Sequence, residues 1–345
     1  MHKKKFTYKN SGVNTRNTSN LVNYISKLSN KTKIKGSFIK GFKNIGGFGS
    51  LFNLTSYKIK NPVIVSAADG VGTKIEISSK LRNYKTIGID LVAMCINDLI
   101  VQGAKPLFFL DYIALGKVKN KQYKEIIQGI YKGCKLSNCY LAGGETAEMP
   151  GIYLRDKFDL AGFAVGIVNK KKIIDGSKIQ NNDVILAYPS NGIHSNGFSL
   201  IRKIISKTKI DISRNNFLKK ELLKPTKIYA KTILNLNSKN LLKGGAHITG
   251  GGLIENILRV IPRNYSISIK LNKIKTKKIF SWIHKFVKHD EMLSTFNCGV
   301  GFCVIVSQKN VKKVLKYSKK SKPYIIGKIL KNKKSRVLLN GKIKF

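Results

Sequence analysis

Apolar residues in the first half of the chain recur at the intervals expected of alternating helices and strands. Leu91, Cys95 and Leu99 fall on one face of a predicted helix over Gly88–Gly103. The same reasoning predicts the helices Asn20–Leu28 and Gln122–Leu136, and short apolar runs predict the strands Pro62–Ala67, Leu107–Leu115, Cys139–Ala142 and Phe158–Val168. This half is therefore predicted to be a mixed α/β domain.

The alternation continues beyond the lysine-rich stretch Asn169–Lys172, which marks a predicted domain boundary. The predicted strands are Asp183–Tyr188, Ser266–Leu271, Val300–Ser307, Tyr324–Leu330 and Arg336–Leu339, and the predicted helices are Asn196–Lys207, one after Pro225–Thr226, Leu253–Ile261 and Asn310–Tyr317. We expect an α+β (mixed α/β) protein of two domains, residues 1–170 and residues 171–345.

The composition is that of a globular protein, with 42% hydrophobic residues. Its apolar runs are too short to cross a bilayer, and the basic N-terminus lacks the apolar segment of a secretory signal. The five cysteines are an odd number, which favours free core thiols in a reducing compartment over disulfides or zinc ligands. A cytoplasmic protein with no membrane partner is expected.

The formal net charge of +48 raises the question of a nucleic-acid partner. The lysines are spread along the chain, arginine is scarce, and no zinc-finger, helix-turn-helix or aromatic RNA-binding pattern accompanies them. This distribution favours compositional drift toward lysine at exposed positions. Only weak, nonspecific nucleic-acid binding is expected from the charge.

The distribution of acidic residues is more informative. The first 68 residues contain none, whereas ten of the 17 acids lie between Asp69 and Asp159. A chain so depleted in carboxylates retains them where a negative charge is required. The usual requirement is a hard cation such as Mg²⁺, often with a nucleotide phosphate.

Two glycine-containing corners carry an acid and a hydroxyl directly after an apolar strand. In the first, Asp69 is followed by Gly70, Gly72, Thr73 and Lys74. In the second, Gly144 is followed by Glu145 and Thr146. Glycine lets backbone N–H groups approach an anion closely, so these corners suit a metal-bound phosphate. The alternative is a turn whose aspartate only closes the loop.

Three further polar residues lie among apolar ones. Asn97 and Asp98 interrupt an apolar helix, and Asp111 lies in the middle of a predicted strand. An unpaired buried carboxylate is unfavourable, so Asp111 belongs either to a structural ion pair or to the site.

Two loops of the second domain combine a histidine with glycines and small polar residues before a predicted helix. Such loops bind anions, although a single histidine is more often structural. The residues concerned are Ser190, Asn191, His194, Ser195 and Asn196 in the first loop, and His247, Thr249, Gly250, Gly251 and Gly252 in the second.

Seven blocks of sequence occur in a fixed order. They read DGVGTK, GIDLVAMCINDLIVQGAKPLFFLDY, GGETAEMPG, SNGIHSNGFSLIRK, PTKIYAK, AHITGGGLIENILRVIP and TFNCGVG. Together they resemble aminoimidazole ribonucleotide synthetase, also called phosphoribosylformylglycinamidine cyclo-ligase, over about Tyr8 to Gly327. The wider superfamily, which includes selenophosphate synthetase and an amidotransferase synthetase, shares the acidic corners but not all of these blocks.

The resemblance implies an ATP-dependent cyclisation in purine biosynthesis. The formyl oxygen of formylglycinamidine ribonucleotide attacks the γ-phosphate of ATP, and a substrate nitrogen then displaces phosphate from the O-phosphoryl imidate. Such chemistry requires positioning and charge neutralisation. The resemblance also implies a homodimer whose N-terminal domains share a barrel.

By motif, the resemblance implies specific roles for the residues named above. Asp69, Asp98 and Glu145 would hold Mg²⁺, and Lys74 would contact the triphosphate. His194 and His247 would transfer protons. The nucleotide would be bound by Gly46, Gly47 and Gly49 of the glycine loop Gly41–Gly49, with Gly70, Gly72, Thr73, Asn97, Asp111, Gly144 and Thr146. The two loops of the second domain would bind the ribose phosphate of the substrate.

One departure from the family pattern concerns the position before Asp69, where Ala68 replaces the usual threonine. Loss of that hydroxyl would weaken the orientation of Asp69 or of a metal-bound water. Two alternatives to the cyclo-ligase remain open at this point. The first is another ATP-dependent enzyme of the superfamily, and the second is a basic RNA-binding protein on the same fold.

Overall fold

The computed structural model describes residues 7, 11, 15–33, 44–331 and 335–345, and the side chains from residue 21 onward within helix α1. The first half contains α1 (Thr15–Asn30), β1 (Pro62–Gly70), α2 (Lys74–Lys80), α3 (Ile87–Val101), β2 (Lys105–Leu115), α4 (Asn120–Ser137), β3 (Tyr140–Glu148) and β4 (Phe158–Asn169). None of the described helices is long and apolar enough to cross a membrane.

The four strands of this half form one sheet in the order β1-β4-β2-β3. Strand β4 pairs antiparallel with both β1 and β2, whereas β2 and β3 are parallel. Helix α3 packs on β1, β4 and β2 because its side chains are almost entirely apolar and buried. Helices α3 and α4 approach closely at Gly88, where an added Cβ would lie 2.2 Å from the carbonyl oxygen of Ile126.

The second half forms a six-stranded mixed sheet in the order β10-β7-β9-β5-β8-β6. Its elements are β5 (Val184–Pro189), α5 (Phe198–Thr208), α6 (Asn216–Leu222), α7 (Ala230–Ser238), β6 (Gly244–His247), α8 (Gly252–Leu258), β7 (Tyr265–Lys270), α9 (Lys278–His284), α10 (His289–Thr295), β8 (Val300–Val306), α11 (Val311–Tyr317), β9 (Tyr324–Lys331) and β10 (Val337–Asn340). Strand β8, which lies between β5 and β6, is buried along its whole length.

The predicted fold class is confirmed, and the main differences concern strand lengths. Strand β1 continues through Asp69, and β3 continues through Glu145 and Thr146, because backbone pairing with the neighbouring strands outlasts the apolar run. The sequence patterns missed helices α2, α6, α9 and α10 and strand β6. Residues Gly41–Lys43 of the predicted glycine loop lie outside the described part. All five cysteines are buried and unpaired, as predicted.

Candidate active site

The strand register places two predicted carboxylates in one row across the N-terminal sheet. Asp69 of β1 and Asp111 of β2 both lie opposite Gly162 of the intervening strand β4. On the other side, Asp111 lies opposite Gly144 of β3. Neighbouring strands are about 4.8 Å apart, so Asp69 and Asp111 are separated by roughly 10 Å. The sheet therefore aligns Asp69 with Asp111 without bringing their carboxylates into contact.

Asp69, Asp98 and His247 form a group that we call the inter-domain cluster. Asp98 is the exposed residue of an otherwise buried stretch of α3, and its Oδ1 lies 2.9 Å from Nδ1 of His247 on β6. The pKa of Asp69 is raised, first by burial and then by the negative charge of Asp98, although a 2.7 Å hydrogen bond from Gly70 N–H opposes the shift. Two carboxylates thus approach each other where the two domains meet.

Asn97 fixes the orientation of the His247 ring. Its Oδ1 accepts a hydrogen bond from the N–H of Tyr229, and its Nδ2 donates to the carbonyl of Lys227 at 2.9 Å. The amide orientation is therefore set, and Nδ2 faces Nε2 of His247 at 3.3 Å. From this network we assign Nε2 as the acceptor and Nδ1–H as the donor to Asp98.

Lys74 occupies a different position from the one predicted. Its side chain is completely buried, and Nζ donates to Asp90 Oδ1 at 2.9 Å and to the carbonyls of His194 and Lys224. Burial lowers the pKa of Lys74, and the Asp90 carboxylate opposes that shift. Direct contact with a triphosphate does not fit this position, because Nζ is enclosed and its hydrogen bonds are already made. Lys74 instead links the two domains.

Asp90 is the other half of this link, and the sequence patterns gave it no role. Its Oδ1 accepts hydrogen bonds from the N–H and the hydroxyl of Thr226, both at 2.7 Å, and from the Ser195 hydroxyl at 3.2 Å. Thr73 makes a second contact across the domains, its hydroxyl lying 3.0 Å from that of Ser199. The first glycine corner is thus joined to the loop that carries His194 and Ser195.

His194 lies within that loop in a left-handed conformation, with φ of 67°. Its ring is buried, and Nε2 accepts a 3.3 Å hydrogen bond from the N–H of Asn191. Burial, followed by the charges of His247, Lys74 and Lys227, lowers the pKa of His194 well below its usual value. The neutral ring therefore carries its proton on Nδ1, which is buried and has no hydrogen-bond partner within the described chain.

The neighbouring residues of this loop are held by the second domain. Ser190 donates its hydroxyl hydrogen bond to the Gly192 carbonyl and lies 3.0 Å from Asn297 Oδ1. The Asn191 side chain donates to the Pro225 carbonyl. The Nδ2 of Asn196 is buried without a partner among the described residues, so it is available for a ligand.

The loop Thr249–Gly252 is shaped by Asn256, which the sequence patterns also missed. Its Nδ2 donates to the carbonyls of Gly250 at 3.0 Å and Gly252 at 2.7 Å. Gly251 and Gly252 both have positive φ, and a Cβ on Gly252 would lie 1.8 Å from the Leu293 carbonyl oxygen. These glycines are therefore required by backbone geometry, whatever the loop binds.

A cavity of about 580 Å³ gathers most of the remaining predicted nucleotide-binding residues. Burial raises the pKa of Asp111 at this cavity to about 7, and the charge of Glu145 contributes to the shift. The Thr146 hydroxyl lies 2.8 Å from that of Tyr123. The predicted residues that line the cavity are Gly46, Gly47, Gly49, Asp111, Gly144, Glu145 and Thr146.

The three predicted metal ligands do not form one group in this structure. Glu145 lies at the cavity near Asp111, whereas Asp69 lies close to Asp98. Within the described ranges, no three His, Cys, Asp or Glu side chains are arranged to hold a metal ion. Two carboxylates nevertheless suffice for Mg²⁺ when a phosphate supplies further oxygens.

Comparison with known families identifies both halves of the chain. The N-terminal domain of AIR synthase related proteins matches residues 55–168, and the corresponding C-terminal domain matches residues 180–340. A protein of Syntrophus aciditrophicus named phosphoribosylformylglycinamidine cyclo-ligase is 45% identical over 335 residues, 94% of this chain and 95% of that protein. A Clostridium botulinum protein of the same name is 44% identical over 336 residues, covering 96% and 99%.

Solved structures share the fold at low sequence identity. Thiamine-monophosphate kinase of Stenotrophomonas maltophilia aligns with a TM-score of 0.69 at 16% identity, covering 94% of this chain and 96% of that one. The hydrogenase maturation protein HypE of E. coli aligns with a TM-score of 0.66 at 14% identity, covering 94% of each chain. T. maritima PurL complexed with AMPPCP aligns with a TM-score of 0.55 at 14% identity, covering 81% and 43%.

Proposed function

The chain belongs to the AIR synthase related family, and on that premise we propose that the inter-domain cluster is the catalytic centre of an ATP-dependent cyclo-ligase. The enzyme is a ligase that cyclises formylglycinamidine ribonucleotide to aminoimidazole ribonucleotide. The reaction forms a C–N bond and releases ADP and phosphate. The observation that carries this reaction is the near full-length similarity to curated cyclo-ligases. The contacts between the domains suggest where it occurs.

The reaction sets two tasks for the protein. The formyl oxygen of the substrate attacks the γ-phosphorus of ATP, ADP leaves, and the O-phosphoryl imidate forms. A nitrogen of the same substrate then attacks the imidate carbon, phosphate leaves and the ring closes. No covalent bond to the protein is needed, so the protein must align two anionic reactants and offset phosphoryl charge.

Asp69 and Asp98 are the proposed ligands of Mg²⁺. Burial, and then the charge of Asp98, raises the pKa of Asp69, and a divalent cation bound by both carboxylates would offset their negative charge. When bound, Mg²⁺ would offset charge on the ATP phosphates. Glu145 is not included among the proposed Mg²⁺ ligands. It lies at the nucleotide cavity, where its charge acts on Asp111.

His247 is the proposed proton-transfer residue. Its Nδ1–H is held by Asp98, so its Nε2 is the nitrogen that can accept a proton. Asn97 would have to release Nε2 for that step. His194 is neutral, and its unpartnered Nδ1–H makes it a hydrogen-bond donor to substrate rather than a base at neutral pH.

ATP is proposed to use the cavity beneath the glycine loop. The cavity combines apolar surface from Leu21 and Val22 of α1 with the polar groups of Asp111 and Thr146. Apolar walls with a few fixed polar groups suit a purine base and its ribose. The loops containing His194 and Thr249–Gly252 are proposed to bind the substrate ribonucleotide.

A homodimer is proposed to form through the open face of the N-terminal sheet. The face opposite α3 exposes large apolar side chains, of which Ile64 is 51% and Phe163 is 45% exposed. Apolar surface of this kind on a soluble protein favours burial against a second copy. The assignment of this face to a shared barrel comes from the family resemblance.

The direct test incubates the purified protein with ATP, Mg²⁺ and formylglycinamidine ribonucleotide and follows ADP, phosphate and the aminoimidazole product. All three should form in equal amounts. Absence of product, under conditions where a curated cyclo-ligase is active, would reject the reaction. Turnover with a different acceptor would assign the chain to another enzyme of the superfamily.

A further inference from the structure

Partly or fully buried lysines are few in this very basic chain, and most have a carboxylate partner. In the described part they are Lys74, Lys224, Lys227, Lys243 and Lys277. Lys74 pairs with Asp90, Lys224 pairs with Glu221, and Lys243 pairs with Asp183. Lys227 and Lys277 form no ion pair with any described residue. The ammonium of Lys227 is partly desolvated and has no counter-ion, which is unfavourable, so this lysine requires an explanation.

Lys227 lies beside the first loop of the second domain. Its Nζ donates to the Pro189 carbonyl at 3.2 Å and lies 5.3 Å from the centre of the Tyr229 ring. A carbonyl dipole and an aromatic face attract a cation only weakly compared with an anion. At least one donor position of the ammonium therefore remains for a ligand.

Lys277 borders the same loop. The Ser190 N–H donates to the Gly299 carbonyl at 2.9 Å, and Gly299 packs directly on residues 275–276, since an added Cβ would lie 2.4 Å from the Lys275 carbonyl oxygen. Burial, and then the charge of Lys277, lowers the pKa of Lys227. The two cations thus lie close enough for Lys277 to act on Lys227, and no carboxylate of the described chain pairs with either of them.

The surroundings connect this pair to the candidate active site. The backbone N–H of Lys227 lies 3.5 Å from Nε2 of His194, and its carbonyl accepts the hydrogen bond from Asn97. The buried Nδ1–H of His194 also lacks a partner in the described chain. Lys227 and the neighbouring His194 thus each retain a donor that a negatively charged ligand could accept from.

We propose that Lys227 and Lys277 form an anion site that binds the phosphate monoester of the substrate ribonucleotide. A phosphate dianion would neutralise both ammonium groups and accept several hydrogen bonds from them. The site lies on the second domain, whereas the proposed Mg²⁺ ligands Asp69 and Asp98 lie on the first. The identity of the phosphate rests on the proposed function, but the existence of an anion site does not.

The first test compares steady-state kinetics of Lys227→Met and Lys277→Met with wild type. Each variant should raise KM for formylglycinamidine ribonucleotide by about 10- to 100-fold, the effect of losing one charged hydrogen bond. KM for ATP should stay within about twofold. Lys278→Met is the matched control, because Lys278 is exposed, adjacent in sequence and equal in charge. Unchanged substrate KM in both variants, or a rise only in KM for ATP, would overturn the proposal.

The second test measures binding of inorganic phosphate to the full chain by ³¹P NMR at a fixed ionic strength. Wild type and Lys278→Met should bind phosphate equally, and the double variant Lys227→Met/Lys277→Met should bind about 10-fold less tightly or worse. Equal binding by all three proteins rejects the site. If the wild-type protein proves inactive in cyclisation while the double variant still loses phosphate binding, the anion site is supported and only the proposed function is rejected. Lys227→Arg, which retains the charge, should restore phosphate binding and substrate KM.

Discussion

The ammonium of Lys74 lies 2.9 Å from Oδ1 of Asp90, and both side chains are completely buried where the two domains meet. The lysine begins α2 of the first domain, and its other hydrogen bonds reach backbone carbonyls of the second. Asp90 in turn accepts two hydrogen bonds from Thr226. One ion pair therefore joins the first glycine corner to the proposed substrate loop.

Breaking this ion pair from one side should strongly destabilise the fold. Lys74→Met leaves the Asp90 carboxylate buried without its cation, which is expected to lower the free energy of unfolding by about 3–5 kcal/mol. Urea denaturation at pH 7 measures the change. Lys119→Met removes an exposed ion pair with Asp156 and should leave the midpoint unchanged. If Lys74→Met and the control behave alike, the buried pair is not a structural link.

Asp69→Asn should abolish turnover without altering the fold. The amide preserves the shape of the side chain but removes the negative charge proposed to hold Mg²⁺, so a fall in kcat of at least about 100-fold is expected. Asp159→Asn on β4 serves as the matched control, because Asp159 is an exposed acid in the same sheet. Retained activity together with an unchanged melting temperature would refute the role of Asp69 at the metal site.

Stability should depend on the protonation of Asp111. Burial raises its pKa in the folded chain to about 7, whereas the unfolded carboxyl titrates near 4. Between these values the folded state retains a proton that the unfolded state loses, so the contribution of Asp111 to stability falls as the pH rises from about 4 to 7.

The Asp111→Asn variant removes this titration. The stability of the variant relative to wild type should therefore increase between pH 5 and pH 8, by roughly 2–4 kcal/mol. Denaturant unfolding of both proteins across this range tests the expectation. A stability difference that does not vary with pH would show that Asp111 is already ionised in the folded protein at pH 5.

Two glycines of the second-domain loop Thr249–Gly252 should respond differently to alanine. Gly252 has φ of 66°, and its Cβ would meet the Leu293 carbonyl oxygen at 1.8 Å, whereas a Cβ on Gly250 would meet only Asn196 Oδ1 at 3.7 Å. Gly252→Ala should lower the melting temperature by several degrees or prevent folding, while Gly250→Ala should not. Equal melting temperatures would mean that the loop adopts another conformation.

The exposed face of the N-terminal sheet supplies a test of the dimer. Phe163→Asp introduces a charge into this apolar face and should shift the protein from dimer to monomer in sedimentation velocity. Phe217→Asp is the control, because Phe217 is 40% exposed on α6 of the other domain. A wild-type monomer, or a dimer that Phe163→Asp does not affect, would place any interface elsewhere.

The sequence by itself predicted the alternation of strands and helices, since apolar spacing along α3, β2 and β8 reflects local backbone geometry. It also predicted the two acidic corners, because glycines beside carboxylates stand out in a chain so poor in acids. Helices α2, α6, α9 and α10 were missed; each is only seven residues long and gives a short periodic signal, although α8 and α11 have the same length and were predicted.

Tertiary structure alone decided which polar residues meet. Asp98 and His247 are 149 positions apart and form a contact of 2.9 Å, whereas Glu145, predicted to join Asp69, lies at a separate cavity. Lys74 follows a glycine corner in sequence but faces the domain junction, because the first turn of α2 directs its side chain inward onto Asp90. Spacing along the chain fixes the face on which a side chain lies, but only the packing of the two sheets fixes what that face meets.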